Sequence, residues 1–571
     1  MKLGFHWALL IAIALFIGCG TSNELPSWFQ PRTGEVTPSG ITLGEIFRMN
    51  EAAEPRSLDP VRTGESTATV LTTQMYDGLV NLDPNLNIVP GLAESHQISE
   101  DGLLYSFKIR KGVMFHDNPC FADGKGREAN AHDVKYSFQR LLDPTTQSTG
   151  AWVFVDNVIG AKEFRDKTAG DVEGFEVVDD YTFNIHLHTP FSAFLQRLAM
   201  TYCFIAPHEA VEHYGADFFQ NPVGTGAFRF VHWKPGQDIL MLRHPNYWKK
   251  DKDGVSMPYL DGVRCTFIQD MKIEFIEFDS GNLDRLYYIH DDLFTTLMTE
   301  ENQLRPGYNQ YQLLTEDLLL LQYYGFNVTM EPFTDKRVRQ AFNYAIDRES
   351  IIKFVLHGRG TPADGIVPHS MPNYENITTG FNYDLEKAKQ LMADAGYPNG
   401  EGLDDITLEL NSGGTINELV AEAIQNQLMQ LGVTIRMQVV EWTQHLQKID
   451  DGETSFFRLG WIGDYPDPEN YLALMWSKNF TPKGTNYSRY SNPEFDRLFE
   501  EATRITDEKR RVEFYQQAEK IAYEDAPVLF LYFGKRYRLL QPYVNKYVYN
   551  AQERDILSEV WMQFPEEAAV E

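Results

Sequence analysis

The fold class is decided by residues 419–440, which read LVAEAIQNQLMQLGVTIRMQVV. Apolar residues recur through the first part of this stretch at Leu419, Ala423, Leu428 and Leu431, which predicts a helix. Gly432 stands where such a helix would end, because glycine readily adopts the left-handed conformation of a helix terminus. The β-branched run from Val433 to Val440 then predicts a strand. The stretch therefore predicts a helix followed directly by a strand.

The helical and the strand patterns of apolar residues both recur elsewhere in the chain. Strict alternation of apolar and polar residues predicts two half-buried strands, one at Tyr105, Phe107 and Ile109 and one at Tyr181, Phe183, Ile185 and Leu187. A helical period follows Asn130, which has the character of an N-terminal cap with Asp133 in the first turn. The apolar face of that helix carries Val134, Phe138, Leu141 and Leu142. Helices and strands that alternate in this way predict a mixed α/β protein.

Composition excludes some classes of partner. The chain has 571 residues, of which 43% are hydrophobic, and this is enough for several packed domains. The net charge is −30, from 81 acidic against 51 basic residues, and no block of Lys or Arg stands out. Nucleic acid is therefore not an expected partner, because its recognition requires a basic surface. Solubility is sufficient to explain the acidic charge.

The first nineteen residues have the character of a lipoprotein signal peptide. Lys2 precedes an uncharged run from Trp7 to Ile17, and Gly18-Cys19 follows it. Cys19 is expected to become the acylated first residue, although Phe16 and Ile17 depart from the usual residues before such a cysteine. The alternative is an uncleaved membrane helix, but the run is shorter than the roughly 20 residues that a bilayer requires. Residues 20–40 are rich in Ser, Thr, Pro and Gly, which predicts a flexible tether.

The strongest functional signal is the stretch FRLGWIGDYPDPENYL at residues 457–472. Its glycines and prolines predict a segment outside regular structure, and polar groups on such a segment usually serve recognition. Arg458, Trp461 and Asp464 offer a cation, an indole and a carboxylate. These groups are complementary to the carboxylate, the side chains and the ammonium of a free peptide. The stretch therefore predicts a peptide-binding site.

A series of motifs resembles the bacterial extracellular solute-binding proteins of family 5, which include the oligopeptide and dipeptide receptors of ABC importers. The most distinctive is Arg337-Val338-Arg339-Gln340-Ala341, which leads to Ala345-Ile346-Asp347-Arg348. Further matches occur in the family's order at 57–60, 76–80, 90–95, 222–228, 246–248, 326–327, 332–333, 387–391, 395–398 and 490–493. The resemblance extends from about residue 41 to residue 565.

The resemblance implies an α/β, two-lobed fold of the periplasmic-binding-protein type, class II, with the ligand cleft between the lobes and an extra inserted domain. Lobe II is expected to be a doubly wound sheet with flanking helices. The implied boundaries are 1–19 for the signal peptide, 20–40 for the tether, 41–79, 200–317 and 528–571 for lobe I, 80–199 for the inserted domain, and 318–527 for lobe II.

The resemblance also assigns roles to four residues. Asp464 occupies the step at which the family's peptide binders pair a carboxylate with the peptide's α-ammonium. The alternative is that Asp464 caps its own turn, a role that Asp467 fits better. Arg458 matches a cation for the terminal carboxylate, or else forms a structural salt bridge. Trp461 and Trp442 match indoles that wall side-chain pockets, or else pack in the core.

The expected function is that of a substrate-binding receptor, which closes on a peptide and delivers it to the permease subunits of an ABC importer. The same fold could instead carry a nickel chelate, haem, an opine or an oligosaccharide. A secreted hydrolase or a periplasmic chaperone is a more remote alternative. His208 and His213 are five residues apart, one too many for a zinc-protease helix, and no Gly-x-Ser-x-Gly is present. We therefore expect no catalysis, no cofactor and no metal.

The expected location is the periplasm or the outer face of the cell membrane, with the receptor held there as a lipid-anchored monomer. In an exported protein, two of the remaining cysteines could form a disulfide. The candidates are Cys120, Cys203 and Cys265, and buried free thiols are the equal alternative.

Overall fold

The computed structural model describes residues 25–32 and 34–564. Its α-helices are Ser66–Met75, Ala131–Leu142, Trp152–Val155, Ala161–Arg165, Phe194–Leu198, His208–Tyr214, Met271–Asp279, Asp291–Leu297, Lys336–Ala345, Arg348–Phe354, Leu385–Asp394, Thr415–Leu428, Trp442–Asp451, Pro468–Leu472, Pro493–Ala502 and Glu508–Asp525. Short 3₁₀ helices are Pro60–Arg62, Pro144–Thr146, Thr201–Cys203, Gly215–Gln220, Pro398–Gly400, Met429–Leu431, Ala473–Met475, Ser477–Asn479 and Leu557–Glu559.

The largest sheet has seven strands, and its path runs through Arg285–Leu286, Val528–Leu540, Gln312–Phe326, Phe456–Ile462, Ile406–Asn411 and Ile435–Val440. The seventh strand, Gly360–Pro362, pairs with Val528–Leu540. Ile406–Asn411 is parallel to both of its neighbours, and the other pairs are antiparallel. A hydrophobic core lies on each face of this sheet: Leu319, Leu321 and Tyr323 face one core, while Tyr324 and Phe326 face the other. The sheet is therefore covered on both faces, and most of its strand pairs are antiparallel.

Two four-stranded sheets share a third core. One has the order Phe228–Lys234, Asp238–Arg243, Gly262–Thr266 and Ile46–Asn50, and the other has the order Ala93–Ile98, Leu104–Ile109, Thr182–His186 and Phe175–Asp179. Buried residues of both sheets, such as Phe47 and Phe107, belong to one continuous hydrophobic cluster. Three small sheets pair Glu35–Val36 with Thr42–Leu43, Val80–Leu82 with Ile88–Pro90, and Val544–Asn545 with Trp561–Met562.

Several sequence predictions are confirmed. The helix Thr415–Leu428 is continued by the turn Met429–Leu431, ends at left-handed Gly432 with φ 78°, and is followed by the strand Ile435–Val440. Asn130 and Asp133 form a reciprocal capping box at the start of Ala131–Leu142. Both alternating segments are strands, Leu104–Ile109 and Thr182–His186.

The prediction that residues 457–472 lie outside regular structure is wrong at both ends of the stretch. The stretch beginning at Phe457 is not irregular, because Phe456–Ile462 is a strand whose alternate residues Phe457 and Leu459 are buried. Gly460 suits this strand because a Cβ at that position would stand within 3 Å of the Gln322 side chain that lies over it. Pro468–Leu472 is helical, since proline is favourable in the first turn.

The tether prediction also fails within residues 25–32 and 34–40. Arg32 donates from its backbone N–H to Asp261 Oδ2 at 2.7 Å, and its guanidinium pairs with the same carboxylate at 3.2 Å. Phe29 is buried against Leu240 and Leu242. A polar, proline-containing composition therefore did not prevent this segment from docking on the body, because one arginine and one aromatic residue anchor it.

The structure decides between a disulfide and free thiols for the three cysteines. Cys120, Cys203 and Cys265 are free thiols, and the last two are buried. Burial raises the pKa of Cys203 and Cys265, so both are protonated and unreactive at neutral pH. Among residues 25–32 and 34–564, no helix has both the length and the apolar composition needed to cross a bilayer.

Candidate ligand-binding site

The strand Phe456–Ile462 has one edge that is largely unpaired. It pairs with Gln312–Phe326 along its full length, but with Ile406–Asn411 only at Phe456 and Phe457. Among residues 25–32 and 34–564, no strand therefore lies beside the backbone from Arg458 to Ile462 on the second edge. Ile462 leaves 56% of its surface exposed, so this edge is open to solvent.

The direction of the backbone groups follows from one side-chain contact. His445 donates from Nε2 to the carbonyl oxygen of Arg458 at 2.8 Å, so this carbonyl points away from Gln312–Phe326. Backbone groups of alternate residues in an antiparallel strand point to the same edge. Gly460 and Ile462 therefore direct their N–H and C=O groups toward the open edge, where an extended backbone could pair with them.

Asp464 lies just beyond the end of this edge. The turn is fixed by Gly463, whose N–H donates to the carbonyl of Leu319 at 2.9 Å. Asn470 Oδ1 then accepts both the Asp464 N–H at 3.1 Å and the Trp461 indole N–H at 2.9 Å. Trp461 and Asp464 are thus held together by one side chain. Within residues 25–32 and 34–564, the Asp464 carboxylate forms no ion pair within 4 Å.

The Asp464 side chain is exposed by area, yet it stands in a concave, crowded part of the surface. This partial loss of water raises the pKa of Asp464, while Asn470 and the more distant cations Arg197 and Arg554 oppose the rise. A carboxylate in such surroundings gains from a cationic partner, because the partner replaces the lost hydration. The site therefore suits an ammonium group.

Arg197, one of the two cations near Asp464, is bound by other protein groups. Arg197 donates to the Tyr465 hydroxyl at 3.2 and 3.1 Å, donates to Asn157 at 3.3 Å, and pairs with Glu469 at 3.6 Å. Its guanidinium is therefore committed to protein groups. Arg197 belongs to the helix Phe194–Leu198, so these contacts join the expected inserted domain to the segment after Asp464.

Asp467 has the capping role that its sequence position suggests. Its Oδ1 accepts the N–H of Glu469 at 3.0 Å at the start of Pro468–Leu472. Its Oδ2 pairs with Arg511 at 2.5 Å, and both side chains are buried. Asp467 is fully used within the protein, which leaves Asp464 as the carboxylate of this segment that is open to a ligand.

Arg458 lies on the face of the strand opposite to Trp461. Its guanidinium donates to Asn411 Oδ1 at 2.9 Å and to Gln322 Oε1 at 2.7 Å. Among the described residues no carboxylate lies within ion-pair distance of it, so the alternative of a structural salt bridge is not what the structure contains. Neutral partners hold the guanidinium in place and leave its charge uncompensated.

The two indoles have different surroundings. Trp461 packs in part against a hydrophobic core, whereas Trp442 is 43% exposed at the first turn of Trp442–Asp451. That helix also carries His445, so it touches the carbonyl of Arg458 directly. The structure therefore brings Trp461 and Asp464 together, while Arg458 and Trp442 border the same strand from other sides.

Sequence reasoning missed the segment that packs over Asp464 from the C-terminal part of the chain. Gln552 donates from Nε2 to the Gly463 carbonyl at 3.0 Å, and Ala551 accepts the Leu319 N–H at 2.8 Å. Arg554 follows two residues later. No local pattern around residues 550–555 signals this role, because the contact depends on a separation of nearly 90 residues from Asp464.

Comparison with known proteins agrees with this architecture. The chain matches the sequence model of the family described as "Bacterial extracellular solute-binding proteins, family 5 Middle" over residues 87–483. It is 32% identical to Heme-binding protein A of Haemophilus influenzae over 561 residues, which covers 96% of this chain and 97% of that protein. It is 28% identical to the dipeptide-binding protein of Escherichia coli over 509 residues, which covers 86% and 90%.

A similar solved structure is that of HbpA2 from Haemophilus parasuis, with a TM-score of 0.78 and 27% sequence identity. The match covers 91% of this chain and 100% of that one. The class of protein is thus a two-lobed solute-binding protein of mixed α/β structure. The chain belongs to family 5 of the bacterial extracellular solute-binding proteins.

Proposed function

We propose that this protein is the peptide receptor of an ABC importer. The observation that carries the proposal is the open strand edge at Gly460 and Ile462, which ends beside the Asp464 carboxylate. Such an edge pairs with the backbone that all peptides share, and the carboxylate pairs with the α-ammonium. The relatives are binding proteins, and we propose no catalysis for this chain.

The proposed binding mode is strand addition. The first residue of the peptide places its ammonium at Asp464, and the following backbone runs antiparallel to residues 458–462. Arg458, with its uncompensated charge, takes the terminal carboxylate of a peptide of matching length. Trp461 and Trp442 provide apolar surface for side chains of varied shape.

Closure of the lobes is proposed to bend the two long strands that pass between them. The ladder between Gln312–Phe326 and Val528–Leu540 is regular from Gln312 to Asp317 and resumes at Leu321. This irregularity supports the boundary proposed at 317/318. On the strand Val528–Leu540, the same irregularity lies between Phe533 and Lys535. This supports an end of lobe II nearer to residue 533 than to residue 527. The ligand favours closure only as far as it binds the closed form better.

A second candidate cargo is haem, which is favoured by the similarity to Heme-binding protein A. Haem has no ammonium and no peptide backbone, so it would use neither Asp464 nor the open edge. Calorimetric titration with a tripeptide, with the same tripeptide acetylated at its amine, and with haem separates the two. Tight binding of the free tripeptide alone is expected. Binding of haem alone would refute the peptide proposal, and equal affinity for the free and acetylated forms would remove Asp464 from the site.

The location and partners are part of the same proposal. Acylation of Cys19, which lies outside the described residues, would tether a monomeric receptor to the outer face of the membrane or in the periplasm. There it would pass its peptide to the permease subunits of the importer. The family description as extracellular supports this location, and the lipoprotein-type cleavage site supports the anchor.

A further inference from the structure

A cavity of about 410 Å³ is lined in part by the C-terminal segment that contacts Gly463, and it contains a mixture of charged and aromatic side chains. Its walls come from the expected lobe I and inserted domain, and Arg554 is one of its lining residues. The volume falls in the range of small-ligand pockets, roughly 300–1,000 Å³. A charged ligand would bind to those charged groups of the cavity that have no charged partner in the protein.

The four carboxylates that line the cavity are all engaged by protein groups. Asp77 accepts from Trp248 Nε1 at 3.1 Å and from Thr225 Oγ1 at 2.9 Å. Asp555 pairs with Arg285 and Arg538 and accepts from Tyr547 at 2.6 Å. Asp83 accepts the backbone N–H groups of Asn85 and Asn87, both at 2.8 Å. Glu559 pairs with Lys249 at 3.0 Å and with Lys546 at 2.8 Å.

Two guanidiniums in the same cavity are not engaged in this way. Arg110 is stacked over the Trp248 ring at 4.5 Å, and its Nε is buried without a hydrogen-bond partner among the described residues. To the residues that the structure describes, Arg554 donates a single side-chain hydrogen bond, from one terminal nitrogen to the Ala199 carbonyl at 3.2 Å. Within the described part of the chain, neither arginine has a carboxylate within 4 Å. In a protein of net charge −30, two such cations in one cavity are unexpected.

Arg554 also connects this cavity to the ammonium site. Its segment is fixed on Gly463 through Gln552 at 3.0 Å, and Gly463 immediately precedes Asp464. Burial lowers the pKa of Arg554 to about 10, and Asp464 opposes that effect by attraction. A partly buried guanidinium with one neutral partner gains from an incoming anion, because burial has removed its hydration. Arg554 therefore lines the cavity and also lies near enough to the Asp464 carboxylate to be attracted by it.

We propose that the cavity is a subsite for an acidic first residue of the cargo peptide. The α-ammonium of an amino-terminal Glu or Asp pairs with Asp464, and its side-chain carboxylate enters the cavity toward Arg554 and Arg110. A guanidinium suits this task because it can hold a carboxylate through two parallel N–H groups. This inference rests on the proposed function, and it makes Arg554 the residue that determines specificity.

The test is calorimetric titration of the wild-type protein and of Arg554→Gln with Glu-Ala-Ala, Gln-Ala-Ala and Ala-Ala-Glu. The wild-type protein should bind Glu-Ala-Ala at least tenfold more tightly than either other peptide. Arg554→Gln should lose this preference and bind Gln-Ala-Ala as the wild type does. Arg497→Gln is the matched control, since Arg497 is an exposed arginine of the helix Pro493–Ala502 and pairs with Glu494 and Glu501.

The outcomes separate the two proposals. If Glu-Ala-Ala and Gln-Ala-Ala bind equally to the wild type, or if Arg554→Gln keeps the full preference, the subsite is refuted while the peptide proposal stands. If none of the peptides binds, the peptide proposal itself fails. Arg110→Gln should reduce the preference in part, and Arg554→Lys should retain some of it, because the positive charge remains. Thermal unfolding of each variant verifies that the fold is intact.

Discussion

Substitution of Asp464 by asparagine tests the ammonium site while it preserves shape. The variant keeps a polar side chain of the same size beside Asn470, but it has no charge to offer an ammonium. The positive charges of Arg197 and Arg554 remain nearby and would then repel the ligand. Asparagine thus removes an attraction and leaves a repulsion.

The size of the affinity loss depends on whether the pair of the Asp464 carboxylate and the peptide ammonium is buried. A unit-charge pair at 4 Å is worth about 4 kcal/mol at an effective dielectric constant of 20. Breaking a buried pair costs about 3–5 kcal/mol, which is roughly 10²- to 10³-fold in affinity. If the ammonium stayed in water at an exposed Asp464, the loss would be at most about 1 kcal/mol, or roughly fivefold. Lobe closure over the ligand predicts the larger value.

The assay is a double-mutant cycle by calorimetry, with free and amino-acetylated tripeptide against both proteins. Acetylation should cost the wild type about as much as the mutation does, and it should cost Asp464→Asn little more. The matched control is Asp451→Asn, since Asp451 is an exposed carboxylate bonded to Gln447 on the helix Trp442–Asp451. A loss under fivefold, or equal losses in the two variants, would refute the reasoning.

Three further predictions extend the account. Arg458→Ala should weaken only the best-fitting member of a di- to pentapeptide series, about 10- to 100-fold, because one charge-assisted bond is worth roughly 1.5–3 kcal/mol; an equal loss at every length would instead indicate a structural role. Because burial raises the pKa of Asp464 and a bound ammonium requires the ionised form, affinity should fall as pH drops through that raised pKa, by up to about tenfold per unit; the acid limb of the affinity profile should be absent in Asp464→Asn, and its persistence there would exclude Asp464 as the titrating group. Cys19→Ser should release the protein from the membrane fraction or leave the signal peptide uncleaved; unchanged fractionation and processing would show that Cys19 is not acylated.

Local patterns predicted much of the fold. The helix stop at Gly432, the alternation around Phe107 and the cap at Asn130 each specify their element through nearby residues alone. The buried face of the helix before Gly432 was not found in this way, because it carries Val420 and Ile424 while Leu419 is 44% exposed. The strand Phe456–Ile462 escaped such reasoning because its stability comes from the partner Gln312–Phe326, more than 130 residues away. Its glycine and arginine suggested a loop, and pairing overrode that local preference.

The site was predictable only where chemistry is local. Arg458, Trp461 and Asp464 lie within seven residues, so their complementarity to a peptide is visible in the sequence. Arg554 and Arg110 could not be found in this way. Neither has a carboxylate partner among the described residues, whereas other charged groups of the cavity are paired with residues far away in the chain, such as Asp555 with Arg285. Charge balance of this kind exists only after folding.

The central claim is that the cleft holds a peptide by its free amine, and a native mass spectrum tests it most directly. The protein is purified without refolding from the cells that produce it, and Asp464→Asn is purified in parallel. The account predicts that the wild type carries retained masses of peptides with free amino termini, enriched in acidic first residues, and that Asp464→Asn carries far less. A wild-type protein that retains haem or another non-peptide solute, or a variant that retains the same peptides equally, would contradict it.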